Sequence, residues 1–257
     1  MRALVPATLL AFGLAVGGAA AQSNTLTIRQ SGDGNTLTVD QSRASGSAVG
    51  GLTVTGPVPQ TFVQIIERPE TRQVDRDGTL VTETFTARET QSVVLDTLGA
   101  SPQRGVPARQ LGAGNEATLN VTGLEGFVGL LQDSGSARTG NTATVNLAGG
   151  GEALVGQLGS TNTATLNVAT GALGGTILQD GTGNDATLNV TGSGATGLIS
   201  QVGTGLTSNL TVDGTTGTNV SLFQDGVGQA FVGGPGTSVV SNGATVTITQ
   251  TAIGAAQ

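Results

Sequence analysis

Along the chain, apolar and polar residues alternate in short runs that return at a fixed interval. From Gln157 the sequence reads QLGSTNTATLNV, and from Gln179 it reads QDGTGNDATLNV, two copies of one phrase 22 residues apart. Within the first copy Ala164, Leu166 and Val168 share one parity, while Thr163, Thr165 and Asn167 share the other. A period of two predicts a strand with one dry face. Before the second copy Gly175 and Ile177 share the parity of Gln179, which predicts a second, shorter strand ending at the Gln. Each unit is therefore expected to be strand, Gly turn, strand, Gly turn.

A unit of this size cannot bury its own apolar face, but identical units stacked at roughly 4.8 Å per coil close a narrow core. The expected fold is all-β: a parallel β-solenoid of about 22-residue strand-turn-strand-turn coils, with an inserted excursion that contains a hairpin. Stacking also fixes the role of the amides. The Gln that ends one strand and the Asn that opens the next have the parity of the aliphatic residues, so both point inward. A lone buried amide costs a few kcal/mol, whereas one stacked on its own copy finds a donor and an acceptor above and below.

The pattern begins at Asn24-x-Leu26-x-Ile28-x-Gln30, passes through SGDG, and continues as Asn35-x-Leu37-x-Val39-x-Gln41. It resumes at Gln110, with inward Gln expected at 110, 132, 157, 179, 201 and 224 and inward Asn at 115, 141, 162 and 184. Leu206 and Gln229 take the Asn position in later units, and six coils are legible here beside the first. Two residues before each Gln stand Leu130, Val155, Ile177, Ile199 and Leu222, expected to form one column. The residue after each Gln is Asp133, Leu158, Asp180, Val202 and Asp225, so carboxylates are expected at every second coil. The last strand expected is Ala244 to Gln250, with no polar cap after it.

Residues 43 to 107 break the pattern: they hold 13 of the 27 charges and five of the seven Pro. Arg72 to Phe85 alternates around Asp77-Gly78, a dipeptide suited to a type I′ turn. This segment is expected to be an inserted hairpin or a partly disordered arm, with the repeats on either side, at 22–42 and 108–257.

Composition narrows the chemistry. The core must be flat, because the 43 Gly are joined by small or β-branched apolar residues and only six Phe. Without Cys no disulfide or thiolate metal site forms, and without His, Cys or Lys the usual general bases and activated nucleophiles are missing. No catalytic, cofactor-binding or metal site is therefore assigned; Asp180 to Asp185 reads as turn chemistry rather than a calcium loop. Ten Arg against 17 carboxylates give a net charge of −7, which argues against nucleic acid or an anionic membrane as partner. Residues 1–21 carry Arg2, an apolar run and small residues at Ala19 and Ala21, the pattern of a cleaved secretory signal peptide too short to span a membrane.

The phrase Asn-x-Leu-x-Ile-x-Gln-x-Gly-x-Gly-Asn-x-Leu-x-Val-x-Gln resembles the curlin repeat, the unit of curli-type amyloid fibres on bacterial surfaces. Residues 24–41 carry it nearly throughout, and 110–230 carry its Gln-to-Asn core. The resemblance implies a secreted subunit that polymerises by stacking coils end to end, supporting adhesion and biofilm. It marks Gln30, Asn35, Gln41, Gln110, Asn115, Gln132, Asn141, Gln157, Asn162, Gln179, Asn184, Gln201 and Gln224 as self-assembly ladder residues. It also implies a homopolymer as the main partnership, with a related curlin nucleator and a curli-type secretion pore as further partners. Major subunit, nucleator and accessory roles all stay open. One departure from the family is that Val121, Leu147, Val168, Val190 and Val212 stand where its second strand ends in Gln. The alternative is a monomeric secreted solenoid that binds ice or polysaccharide, suggested by the outward Thr column at 118, 144, 165 and 187.

Overall fold

The computed structural model describes residues 23–77, 79–169, 174–213, 217–228, 237–238 and 245–251. The expected signal peptide, Gln229 and the segment after the last strand lie outside them. Among the described residues there is no helix; the chain winds through about eight stacked coils, roughly 23 residues apart, as a β-solenoid.

Two parallel sheets form the walls. The first stacks Phe127–Asp133, Glu152–Ser160, Gly174–Thr182, Thr196–Thr204, Asn219–Val227 and Thr245–Thr251. The second stacks Thr36–Ser45, Glu116–Leu124, Thr142–Ala148, Thr163–Val168, Asp185–Thr187, Thr207–Thr211 and Thr237–Ser238. Each residue pairs with its own equivalent in the next coil. Val155 lies between Leu130 and Ile177, and the column continues through Ile199 and Leu222 to Ile248. From the opposite wall Ala164, Leu166 and Val168 and their equivalents close a continuous buried core. Val121, Leu147, Val168, Val190 and Val212 are all buried there, so that position is an aliphatic seam.

The first-sheet strands are longer than expected and do not stop at the Gln. Glu152–Ser160 passes through Gln157 and Gly159, which stay in register with Gln179 and Gly181. The Gly of this column takes a positive φ of 90° at Gly159 and 131° at Gly181. A Cβ built on Gly181 would lie 1.7 Å from the Gly203 carbonyl oxygen of the next coil. Only glycine lets the coils approach this closely at the corner.

The expected boundaries of the excursion, 43 to 107, are corrected. The strand of the first coil runs on to Ser45, and Ala48–Gly51 is itself a solenoid strand, paired with Phe127–Leu130. That strand resumes after the excursion, where Arg109, Gln110 and Leu111 pair with Leu131, Gln132 and Asp133. The insertion therefore enters in mid-strand. Ala48 and Phe127 are equivalent residues 79 apart; leaving out the 57 residues Leu52 to Ala108 brings them to 22, the spacing of Glu152 and Gly174.

The insertion is one long antiparallel hairpin, with Gly51 opposite Gln103 at its base and Arg76 opposite Thr79 at its end. Asp77 has φ 55°, as a primed turn requires. The hairpin climbs along the stack on the outer face of the first sheet. Leu52 and Val54 approach Gly156, the Leu98 N–H donates to Ser200 Oγ at 3.1 Å, and Phe62 meets Phe223 with ring centroids 5.1 Å apart. Leu52, Leu98, Phe127, Leu154 and Leu178 form a second buried cluster under it. Both faces of the first sheet are thus dry, which is why strands there read as unbroken apolar runs such as Val-Gly-Leu-Leu before Gln132 and Ala-Leu-Val-Gly before Gln157.

Candidate functional site: two amide ladders through the core

Residue period alone aims Gln and Asn inward, and stacking in register brings each onto its copy. Gln110, Gln132, Gln157, Gln179, Gln201 and Gln224 are fully buried, as are Asn115, Asn141, Asn162 and Asn184.

The Gln residues form one chain of side-chain hydrogen bonds. Gln30 Nε2 donates to Gln110 Oε1 at 2.6 Å, Gln110 to Gln132 at 2.8 Å and Gln132 to Gln157 at 2.8 Å. Gln157 donates to Gln179 at 2.9 Å, Gln179 to Gln201 at 2.8 Å and Gln201 to Gln224 at 2.8 Å. Every step has the same sense, from the N-terminal coil to the C-terminal one. The same Nε2 groups also reach across to the second sheet: Gln179 donates to the carbonyls of Thr163 and Asn184, both at 3.0 Å. The Gln ladder therefore ties coil to coil and sheet to sheet at once.

The Asn residues use a different geometry. The Asn115 backbone N–H donates to Asn35 Oδ1 at 2.9 Å, Asn141 N–H to Asn115 Oδ1 at 3.0 Å, Asn162 N–H to Asn141 Oδ1 at 3.1 Å and Asn184 N–H to Asn162 Oδ1 at 3.1 Å. The Nδ2 groups of Asn141, Asn162 and Asn184 donate to corner glycine carbonyls of the following coil, Asn141 to Gly159 at 2.8 Å, Asn162 to Gly181 and Asn184 to Gly203 at 3.1 Å. At Leu206, which occupies the Asn position, the N–H donates to Asn184 Oδ1 at 3.0 Å and the side-chain ladder stops. The Asn column is a backbone clamp on the corner.

Gln41 does not join either ladder. The pairing slips between Asp40 and Arg43, opposite Asn120 and Thr122, and the half-buried Gln41 donates only a long bond to the Ser47 carbonyl. Its equivalents are the aliphatic seam, so no amide stands above it. At the same bulge the Ser42 N–H bonds to Asp40 Oδ1 at 2.9 Å, and the hydrogen bonds from Ser42 hold that carboxyl below its ordinary value.

A third amide ladder faces outward on the second sheet. Asn120 donates to Asn146 and Asn146 to Asn167, both at 2.8 Å. Its sequence signal was the recurring Leu-Asn-Val, but outward parity alone gave no reason to expect it. Also on this sheet Thr118, Thr144, Thr165 and Thr187 stack as a column. On the first sheet Asp133, Asp180 and Asp225 alternate with Leu158 and Val202 in one column. Burial pushes the Asp180 carboxyl above its ordinary value, not the crowding of like charges, since its neighbours in the column are apolar. Among the described residues, no group of three or more His, Cys, Asp or Glu is placed to hold a metal.

Compared with known proteins, the chain matches no family model, no curated sequence and no solved structure.

Proposed function

We propose that this chain is a secreted structural protein that polymerises end to end, one copy continuing the coil stack of the next, into curli-type extracellular fibres serving adhesion and biofilm. The observation that carries this reading is the uniform sense of the Gln ladder. In each later coil the Gln Oε1 accepts from the coil before it, but Gln30 stands in the first described coil, exposed, with its Nε2 engaged by Gln110. The last described first-sheet strand puts Gln250 in register with Gln224. A donor-sense end and an acceptor-sense end are what head-to-tail stacking of one chain on another requires. The curlin-like repeats support the same reading, as does the signal peptide pattern for export. A related nucleator and a secretion pore would be its further partners, and no chemical step is assigned to it.

The test is incubation of the protein lacking residues 1–21. Thioflavin-positive fibres with a meridional repeat of about 4.7 Å are expected. A solution that stays monodisperse for days at high concentration would defeat the proposal. The stacked Thr columns favour one second reading, a monomeric ice- or polysaccharide-binding module. Activity in an ice recrystallisation or polysaccharide pull-down assay without fibre formation would select it.

A further inference from the structure

The hairpin is longer than the described part of the solenoid it lies on. It crosses the outer face through the column that contains Gly156, Ser200 and Phe223, and Phe62 marks its level at the seventh coil. One further coil, Thr245–Thr251, is described beyond Phe223. Between Val63 and Arg76 the ribbon still has 14 residues, about 45 Å of extended chain, against about 5 Å for that coil. Past Phe62 its described side chains are mostly exposed on both faces, among them Val63, Leu80 and Phe85. The ribbon outruns the stack at its C-terminal end.

At the opposite end the same outer column begins with two cations. Arg29 pairs with Arg109, and Arg109 with Leu131, in the positions equivalent to Gly156 and Phe223. Arg29 is exposed, and the buried Nε of Arg109 has no hydrogen-bond partner. The outer column is therefore apolar where the chain's own hairpin covers it and positive where it does not.

We propose that the overhanging ribbon is a strap that laps onto the first two coils of the following copy, with Glu89 set against Arg29 and Arg109 of that copy. This rests on the end-to-end stacking proposed above. In a continued stack the first coil of the next copy lies two steps beyond Phe223, about 10 Å on. Between Val54 at Gly156 and Phe62 at Phe223 the ribbon climbs three coils in eight residues, so that distance takes about five residues and ends at Glu67, opposite Arg88 and next to Glu89. Glu89 shares a ribbon face with Val93, the partner of Phe62, and so points the way Phe62 points, toward the first sheet. Its present partner, Arg68, is 4.0 Å away, and both side chains are about two-thirds exposed, so the carboxylate can exchange partners at little cost. Beyond the second coil the next copy's own hairpin base takes over the face, which limits the lap to the two positions where the arginines stand.

Because the chain has no Cys, the geometry can be read by disulfide trapping. Within one molecule Arg29 and Glu89 are separated by eight coil steps, roughly 40 Å, far beyond disulfide reach, so a bond between them must join two copies. Fibres of the Arg29→Cys, Glu89→Cys double variant, oxidised after assembly, should run as a ladder of covalent multimers on a non-reducing gel. Arg29→Cys paired with Thr86→Cys, on the other ribbon face, should stay largely monomeric. Normal fibres of the first variant that yield only monomers would overturn the strap and leave the stacking intact; equal cross-linking of the two variants would overturn the assignment of the facing side. Failure of the unaltered protein to form fibres would remove both proposals together.

Discussion

At the level of single residues, the amide core is tuned to donors as well as to size. Gln179 is fully buried, accepts from Gln157 and donates toward Gln201, Thr163 and Asn184. Gln179→Leu takes the donor from Gln201 Oε1 and the ladder acceptor from Gln157 Nε2, and should cost about 2–4 kcal/mol. Gln179→Glu keeps the acceptor for Gln157 but turns a carboxylate toward three carbonyl oxygens, and should cost on the order of 5 kcal/mol at neutral pH. Denaturant titrations of the two variants should therefore rank Leu above Glu, and the Glu variant should recover as acid protonates it. Equal stability at pH 7 would contradict the donor role. Neighbouring glycines separate two further effects. Gly181→Ala drives a methyl into the Gly203 carbonyl, whereas a Cβ on Gly183, at φ 68°, meets only Thr161 Oγ1 at an ordinary contact of 3.8 Å, and Gly183→Ala should cost only the left-handed penalty, about 1–2 kcal/mol. Loss of the cooperative transition in the first variant and its survival in the second is the expected result.

At the level of elements, the repeat was legible because a period of two and a period of about 22 coincide, and because an inward amide is tolerable only when stacked. That placed the Gln and Asn columns and the aliphatic column from Leu130 to Leu222 correctly. What stayed hidden depended on contacts distant in sequence. Leu178, Leu198 and Phe223 have outward parity, and nothing local says that a hairpin from residues 52 to 108 will cover them. The mid-strand entry of that hairpin was hidden too, because Ala48–Gly51 lacks the Gln that marks its counterparts; the Gln arrives only after the excursion, at Gln110. Gln41 looked like a ladder member from its own coil, yet the coils above it carry Val and Leu there. Joining Gly51 directly to Arg109 tests this view of the elements. The shortened coil has the native 22-residue spacing, so strand content should persist by circular dichroism, while the uncovered stripe of Leu154, Leu178, Leu198 and Phe223 should raise binding of an apolar dye severalfold. Collapse of the β signal would mean that the hairpin is needed to form the stack.

At the level of the whole molecule, charge governs how readily one copy approaches another. The chain carries a net −7 with a sequence pI near 4.4, so repulsion between copies falls as pH drops toward that value. The column of Asp133, Asp180 and Asp225 places three of these charges on one face, kept two coils apart by Leu158 and Val202. Burial raises the Asp180 carboxyl, so the folded protein holds that proton more tightly than the unfolded chain does. The sign follows: this contribution to stability is full below the ordinary Asp value of 3.8 and is lost as pH rises through the raised one. The Asp225 carboxylate accepts the Asp96 N–H at 2.9 Å, which ties the end of this column to the hairpin. Acid should therefore shorten the assembly lag through net charge and Asp180 together. Replacing all three by Asn removes three of the eight net negative charges of the protein lacking residues 1–21, which hold Arg2. The triple variant should assemble faster than the parent at pH 7 and show a flatter dependence of lag time on pH between about 7 and 4, and coincident lag-time profiles for the two proteins would show that this stripe does not control association.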